Sequence, residues 1–297
     1  MTSEEGGTMN AFKEGWFTEI DKLWPSIALS LEVDSVLYKG KSKFQSIQVL
    51  QTKSLGKALI LDGIIQCTEF DEFSYQEMIS YLPLHSHPNP QKVLIVGGGD
   101  GGVAREVAKH PSVKAIDQVE IDDLVMEVSR KYLPSLSQGL DHPKLTLHVE
   151  DGFVFLKNRK NEYDVIITDS SDPVGPAVPL FQQPYFELMK SALKPNGIVC
   201  SQAGTPWTNL DIVVNTFKNC KQAFPVVSYG YTSVPTYPNG QIGFVLGSLN
   251  LETNFKEPLK TMTDEDLEQM KFRYYTSEVH RAAFALPKFL RDALQKV

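Results

Sequence analysis

Apolar and polar residues alternate with a period of two in the first part of the chain. The stretches Ala28–Tyr38, Phe44–Thr52 and Ala58–Gln66 each show this alternation, and short polar or glycine-containing segments separate them. A strand with one buried face places apolar side chains at every second residue, and short breaks between such strands are typical of hairpins. The pattern predicts a small N-terminal antiparallel β domain, which together with a connecting helix occupies residues 12–80, after a disordered tail at residues 1–11.

A helix and a glycine-rich turn follow these strands. Glu69–Leu82 carries acids in its first turn, which predicts the helix that connects the first domain to the next. Val93–Val96 is a run of four apolar residues, typical of a strand covered on both faces in a parallel sheet. Five glycines then occur within six positions. Gly97, Gly99 and Gly102 have the spacing of a nucleotide-binding turn, although a plain strand-to-helix connection is the alternative.

Strand-like and helix-like segments alternate after this turn. Such alternation implies right-handed crossovers and a parallel sheet. Only P-T-Y-P-N-G separates the last two strand-like segments, so they are expected to form an antiparallel hairpin at the sheet edge. The predicted fold class is α/β, with a Rossmann-like, methyltransferase-type sheet in a catalytic domain at residues 81–297, which ends in one or two helices. The further predicted strands are Ala115–Ile121, Leu145–Val149, Tyr163–Thr168, Gly197–Gln202, Val226–Val234 and Gln241–Gly247, and the predicted helices are Asp123–Tyr132, Gly152–Lys157, Pro184–Leu193 and Leu210–Gln222.

Composition narrows the class of protein. The chain has 297 residues, of which 42% are hydrophobic and 22% charged, as is ordinary for a globular enzyme. A net charge of −7 without a basic cluster argues against nucleic-acid binding. No apolar run approaches the roughly 20 residues of a membrane span, and the first residues lack the pattern of a signal peptide. Because the 3 cysteines also lie far apart, we expect a cytoplasmic protein that binds neither nucleic acid nor membrane.

Acidic residues follow four of the predicted strands, at the edge where open α/β sheets bind ligands. Asp100 lies inside the glycine turn, where a carboxylate would repel a phosphate and suits a cation better. Glu120 lies about 20 residues further on, where a carboxylate can accept hydrogen bonds from ribose hydroxyls; a helix-capping role is the alternative. Asp151, followed by Gly152, fits either a contact to the exocyclic amine of an adenine or an N-cap of the next helix.

Asp169 and Asp172 lie in the segment T-D-S-S-D-P-V-G-P after the fourth strand. A turn-forming role explains one of these acids more readily than both. Crowded carboxylates raise one another's pKa and attract cations. Together with Asp100, they predict a negatively charged pocket for a substrate that carries several amines.

Other candidate chemistries have less support. His85 and His87 lack a matching group of cysteines or acids for a metal site and are expected in a loop. Ser170 and Ser171 lack the glycine-flanked nucleophile elbow of hydrolases. Cys200 lies in an apolar strand and is expected in the core. An NAD-dependent dehydrogenase would fit the glycine turn, but no histidine or Tyr-Lys pair for hydride transfer is recognisable.

Six ordered motifs extend over nearly the whole chain. They are G-W-F-T-E at Gly15–Glu19, L-D-G-I-I-Q-C-T-E-F-D-E-F-S-Y-Q-E-M-I at Leu61–Ile79, V-G-G-G-D-G-G at Val96–Gly102, V-E-I-D at Val119–Asp122, I-T-D-S-S-D-P-V-G-P-A at Ile167–Ala177 and P-T-Y-P-N-G-Q-I-G-F at Pro235–Phe244. This set resembles the aminopropyltransferase family, in particular its spermidine synthases. The resemblance implies transfer of the aminopropyl group of decarboxylated S-adenosylmethionine to putrescine, which gives spermidine and 5′-methylthioadenosine.

The resemblance also implies roles for individual residues. Asp169 is similar to the proton acceptor of the family. The positions that match the putrescine pocket are Trp24, Tyr75, Asp169, Asp172 and Tyr237, and those that match the donor site are Gln45, Gln76, Asp100, Glu120, Asp151 and Gly152. No metal or other cofactor is implied, because decarboxylated S-adenosylmethionine is a co-substrate, and the implied assembly is a homodimer.

Two positions depart from the family pattern. Gln202–Trp207 reads Q-A-G-T-P-W, with Gly204 where an acid is usual, which removes one expected contact to the far amine of the acceptor. Ser46 also stands where an acid is more usual. Two alternatives remain open: a putrescine N-methyltransferase on the same scaffold, and a catalytically impaired homologue that acts as a partner of active subunits. The acceptor also stays open between a diamine and a triamine.

Overall fold

The computed structural model describes residues 14–173 and 175–297, and these residues form two sheets. The predicted tail at residues 1–11 lies outside them. The first sheet is antiparallel throughout, in the order β1-β2-β3-β4-β5, as the alternating pattern predicts. Its strands are β1 (Trp16–Glu19), β2 (Leu29–Lys41), β3 (Ser46–Thr52), β4 (Lys57–Leu61) and β5 (Ile64–Thr68).

A tight turn divides the stretch Ala58–Gln66 into two strands. Asp62 and Gly63 connect β4 to β5 with φ angles of 48° and 83°. Two-residue hairpin turns need positive φ at these positions, and Asp-Gly is a favoured pair for them. Strand β1 has no counterpart among the predicted strands, because four residues are too few to show an alternation.

Helix α1 (Glu72–Leu84) connects the two sheets, and twelve of its 13 residues are buried. A helix that is apolar or buried on all sides shows little amphipathic periodicity. It begins three residues after the predicted start at Glu69. The Asp71 carboxylate before it accepts hydrogen bonds from the Thr68 hydroxyl at 2.7 Å and from the Thr236 amide at 2.8 Å. These bonds fix the chain before the first turn of α1.

The second sheet has seven strands in the order β11-β12-β10-β9-β6-β7-β8. Strands β8, β7, β6, β9 and β10 are parallel, and β12 pairs antiparallel with both β10 and β11. The predicted α/β class, the parallel core and the antiparallel hairpin at the edge are confirmed. The strands are β6 (Lys92–Gly97), β7 (Ala115–Glu120), β8 (Leu145–Val149), β9 (Tyr163–Asp169), β10 (Leu193–Gln202), β11 (Val226–Ser233) and β12 (Gln241–Ser248).

Helices cover both faces of this sheet. After β12 the described chain has three short helices, so the expectation of one or two was wrong; helices of six or seven residues are too short to show a period of 3.6. No helix among residues 14–173 and 175–297 has the length and apolar character to cross a membrane. The helices are α2 (Gly102–Lys109), α3 (Asp123–Tyr132), α4 (Pro134–Ser137), α5 (Gly152–Lys157), α6 (Gln183–Ala192), α7 (Leu210–Ala223), α8 (Asp264–Gln269), α9 (Ser277–Ala282) and α10 (Lys288–Leu294).

The direction of winding reverses between β6 and β9. From β6 the chain continues to β7 on one side of the sheet, whereas β9 lies on the other side. Open α/β sheets bind ligands in the crevice outside such a switch point. Gly97 pairs with Asp169 across it, and a Cβ atom added to Gly97 would lie 2.1 Å from the Asp169 carbonyl oxygen. Glycine therefore allows the turn after β6 to approach the acid at the end of β9.

Candidate active site

A cavity of about 540 Å³ lies over the carboxyl ends of the parallel strands, with β4, β5 and the turn before β3 as its other wall. The eleven residues that the sequence singled out come from eight separate parts of the chain, and all of them line this cavity. They are Trp24, Gln45, Tyr75, Gln76, Asp100, Glu120, Asp151, Gly152, Asp169, Asp172 and Tyr237.

The strand order fixes the order of the polar groups along the cavity. Gln202 ends β10, Asp169 ends β9, Asp100 follows β6, Glu120 ends β7 and Asp151 follows β8. These five strands are neighbours, so at a spacing of about 4.8 Å their ends extend over roughly 19 Å. We call the end near Gln202 the β10 side and the end near Asp151 the β8 side. The cavity can therefore take a long ligand that lies across the strand ends.

Asp169 is the second group of this row from the β10 side, between Gln202 and Asp100. The Tyr75 hydroxyl donates a hydrogen bond of 2.6 Å to its Oδ1. Burial raises the pKa of the Asp169 carboxyl to about 8, and the negative charges of Asp100 and Glu120 act in the same direction, whereas the bond from Tyr75 lowers it. A base with a pKa close to the working pH is suited to accept a proton during catalysis.

Asp100 is held by the turn and by α1. Its Oδ1 accepts the Gly102 amide at 2.6 Å, and the Gln76 side-chain amide lies 3.3 Å from the same oxygen. Burial raises the pKa of Asp100, and the charge of Glu72 adds to this effect, whereas Arg105 opposes it. Tyr75 and Gln76 are consecutive residues of α1, so one helix contacts both acids. Two acids with raised pKa values in one cavity favour a cationic ligand, because a positive charge stabilises both carboxylates.

Glu120 and Asp151 form the β8 side. Glu120 is only 9% exposed, its Oε1 accepts the Asp122 amide at 2.9 Å, and burial raises its pKa to about 7. The N-cap of α3 is Asp122, so the helix-capping alternative for Glu120 was wrong. Asp151 does cap α5, because its carboxylate accepts the Phe153 amide at 2.7 Å, and it also lines the cavity. Both interpretations of Asp151 are therefore compatible with the structure.

The β10 side combines an acid with aromatic walls. The Gln202 side-chain amide donates to Asp172 Oδ1 at 3.1 Å. Burial raises the pKa of Asp172 to about 6, with a further contribution from Asp21. The rings of Tyr75 and Tyr237 have centroids 5.9 Å apart, and the Tyr237 hydroxyl donates to the Gln66 carbonyl oxygen. Trp24 is 3% exposed and completes the wall, so this side suits an alkyl chain that ends in a charged amine.

Comparison with known proteins assigns the family. Residues 72–257 match the model described as the spermine/spermidine synthase domain, and residues 15–69 match that of the spermidine synthase tetramerisation domain. A spermidine synthase of Dictyostelium discoideum is 53% identical over 286 residues, which cover 96% of this chain and 99% of that protein. A spermidine synthase of Schizosaccharomyces pombe is 50% identical over 284 residues, which cover 96% of this chain and 95% of that protein. The chain belongs to the spermine/spermidine synthase family.

Solved structures agree with this assignment. A crystal structure of a spermidine synthase in complex with the transition-state analogue AdoDATO has a TM-score of 0.87 at 35% identity, and the match covers 95% of both chains. A spermidine synthase from Thermotoga maritima has a TM-score of 0.85 at 35% identity, and the match covers 95% of this chain and 94% of that one. The resemblance stated from the sequence motifs is confirmed, and the protein is an aminopropyltransferase.

Glu19 is an acid near the site of this aminopropyltransferase that the sequence analysis missed. It is fully buried at the end of β1, and its carboxylate accepts the Ile65 amide at 2.6 Å. Burial raises the pKa of Glu19 to about 8, and the charge of Asp172 contributes to the rise. Glu19 is the last residue of the motif G-W-F-T-E, but its burial near the site depends on β1, which the sequence did not predict.

The less favoured candidates take part in the structure in other ways. His85 lies at the C-cap of α1, and its Nδ1 is 2.8 Å from the Tyr275 hydroxyl. Cys200 is fully buried in β10, and burial raises the pKa of its thiol. Ser46 donates through its amide and its hydroxyl to Asp62 Oδ1, at 2.7 and 3.0 Å, so it connects the start of β3 to the turn between β4 and β5. Gly204 lines the cavity with a φ of +71°, and a Cβ added there would meet only Asn209, at 3.9 Å.

Proposed function

We propose that this protein is a spermidine synthase. It transfers the aminopropyl group of decarboxylated S-adenosylmethionine to putrescine and releases spermidine and 5′-methylthioadenosine. The observation that carries the proposal is the row of carboxylates across the strand ends, with Asp169 between Asp100, which follows β6, and Asp172, which follows β9. Relatives described as spermidine synthases support it.

The reaction is a displacement at carbon. Asp169 accepts a proton from the near ammonium of putrescine, which frees the lone pair of that nitrogen. The nitrogen then forms a bond to the propyl carbon that is attached to the sulfonium sulfur, the bond between that carbon and sulfur breaks, and its electron pair returns to sulfur. The new secondary amine is formed as an ammonium. Because the donor already carries a good leaving group, the protein has to align the two reactants, accept a proton and exclude water. No metal or other cofactor takes part in this proposal.

We place the donor on the β8 side and at the glycine turn. Glu120 accepts the ribose hydroxyls, and Asp151 with Gly152 contacts the adenine, while Gln45 and Gln76 complete the contacts. Asp100 pairs with the ammonium of the aminopropyl group. Ordinary S-adenosylmethionine also carries a carboxylate there, which the negative charges of Asp100 and Asp169 would repel. Burial raises the pKa of Asp100, and the ammonium of the donor would offset this effect by stabilising the carboxylate.

We place putrescine on the β10 side. Asp172 binds the far ammonium, Trp24 and Tyr237 flank the four-carbon chain, and the Tyr75 hydroxyl orients Asp169 toward the near amine. One end of the diamine thus stays charged while the other end loses a proton. A charge-assisted hydrogen bond contributes roughly 1.5–3 kcal/mol, so a few carboxylates are sufficient to select a diamine.

Assembly and location also belong to the proposal. We propose a homodimer in the cytoplasm that binds neither nucleic acid nor membrane. The match of residues 15–69 to a tetramerisation domain supports an oligomer of some size. A mass measurement by light scattering distinguishes a dimer of 33.2 kDa chains from a tetramer.

The test of function is a product analysis of the purified protein with each donor in turn. Spermidine and 5′-methylthioadenosine from decarboxylated S-adenosylmethionine and putrescine are expected. Methylputrescine from ordinary S-adenosylmethionine, without spermidine from the decarboxylated donor, would refute the assignment. No turnover by the chain alone would favour an impaired partner subunit. Replacing putrescine with spermidine in the same assay determines whether the acceptor is a diamine or a triamine.

A further inference from the structure

A four-residue turn between β2 and β3 covers part of the cavity. Phe44 and Gln45 of this turn line the cavity, whereas Ser42 does not. The Ser42 hydroxyl oxygen accepts hydrogen bonds from the Phe44 amide at 3.0 Å and from the Gln45 amide at 3.1 Å. The Ser42 amide in turn donates to the Gln45 carbonyl oxygen at 2.9 Å. One side chain therefore determines the shape of the turn.

The same hydroxyl ties the turn to the second sheet. Ser42 Oγ donates to Asp122 Oδ2 at 2.6 Å, and the Gln45 side-chain amide donates to that oxygen at 2.9 Å. Asp122 has no exposed surface and does not line the cavity. Its other oxygen accepts the Leu124 amide at 3.2 Å, and its own amide donates to Glu120 Oε1 at 2.9 Å. A single buried carboxylate thus joins the turn to Glu120.

The rest of the first sheet is held in another way. Ile47 and Val49 of β3 pack in one apolar cluster with Val125 and Val128 of α3. This cluster keeps β3 in place whether or not the turn is tied. Loss of the polar bonds would therefore release the turn without detaching the sheet.

We infer that Ser42 and Asp122 are positioning residues that hold the turn 42–45 against the nucleoside of the donor. The inference rests on the proposed function, because it assumes an adenosine group beside Glu120 and Gln45. A turn already held in its bound shape costs less conformational entropy when the ligand binds. Ser42 and Asp122 should therefore contribute to affinity for the donor and for 5′-methylthioadenosine, and not to the chemical step.

The chain offers a matched control for this inference. Ser42→Ala removes the hydrogen bond from the turn to Asp122. Ser46→Ala removes a hydroxyl four residues further along, whose hydrogen bond goes to Asp62. Asp62 keeps its hydrogen bond from the Ser46 amide in that variant. Ser42→Thr restores the hydroxyl. The measurements are calorimetric binding of 5′-methylthioadenosine to the full chain, KM for each substrate, kcat, and amide hydrogen exchange of the turn without ligand.

For Ser42→Ala we expect affinity for 5′-methylthioadenosine about 10-fold weaker, with a similar rise in donor KM and little change in kcat or putrescine KM. The turn amides should exchange faster in this variant and in Asp122→Asn. Ser46→Ala should behave like wild type, and Ser42→Thr should recover most of the affinity. Equal affinity and equal exchange in the two Ser→Ala variants would overturn the inference, as would an equal rise of both KM values. Failure of the wild type to bind 5′-methylthioadenosine would instead refute the proposed function.

Discussion

Replacement of Asp169 by Asn tests the proposed role of this residue as proton acceptor most directly. The amide keeps the size of the side chain and an oxygen that can accept the bond from Tyr75, which is 2.6 Å long. It cannot take a proton from the amine. A positioned general base contributes about 10²–10⁴-fold to the rate, so Asp169→Asn should lower kcat by that factor, which corresponds to roughly 3–5 kcal/mol. Donor affinity should change much less, because Asp100 and Glu120 remain.

The pH dependence of kcat/KM is an independent test of Asp169 as the proton acceptor. With a pKa of about 8, only about a tenth of the Asp169 carboxyl is ionised at pH 7 in the free enzyme. Because the base must be unprotonated, kcat/KM should rise with pH and level off above about pH 8. A cationic donor bound beside Asp169, as proposed, should lower the pKa of this carboxyl, so the corresponding rise in kcat should lie at lower pH. The deficit of Asp169→Asn should therefore be larger at pH 9 than at pH 7.

The assay is the formation of 5′-methylthioadenosine, followed by chromatography from pH 6 to pH 9. Asp141→Asn is the control, because it removes one negative charge from an exposed position that pairs with Arg130 at 3.1 Å. It should retain the wild-type rate and pH profile. A rate for Asp169→Asn within tenfold of wild type at pH 9, or an unchanged rise of kcat/KM with pH, would refute the proton-acceptor role.

Three further substitutions test the other parts of the site. Asp172→Asn should raise putrescine KM by about 10–100-fold because it removes a charge-assisted hydrogen bond, and an unchanged putrescine KM in steady-state kinetics would contradict the acceptor assignment. Asp100→Asn should reduce the preference for the decarboxylated donor about tenfold or more, and competition binding of the two donors measures this ratio. Gly97→Ala should lose most of its activity, because its Cβ would lie 2.1 Å from the Asp169 carbonyl oxygen. Gly63→Ala is the control: the φ of Gly63 is +83° and that of Gly97 is +85°, but a Cβ added to Gly63 meets nothing within 4 Å. Equal losses of activity in Gly97→Ala and Gly63→Ala would show that backbone strain alone is responsible.

Local patterns in the sequence determined most of the fold. The run Val93–Val96 followed by glycines predicts a buried strand and a tight turn, and both are present, because burial on two faces and positive φ place strict demands on residue type. The alternation of strand-like and helix-like segments predicts the parallel sheet, because a helix that connects two strands returns the chain to the same edge of the sheet. Once the strands are parallel, their carboxyl ends share one edge, so Asp100, Glu120 and Asp169 are expected together.

Other features depend on contacts between distant parts of the chain, and only the tertiary structure decided them. Glu19 approaches Asp172, and Ser42 binds Asp122, although about 150 and 80 residues separate the partners in the sequence. The pKa of Asp169 is raised because other segments remove water from it and place Asp100 and Glu120 nearby. Periodicity records which face of an element is buried, but it does not record which partner buries it, and the chemistry of this site depends on the partners.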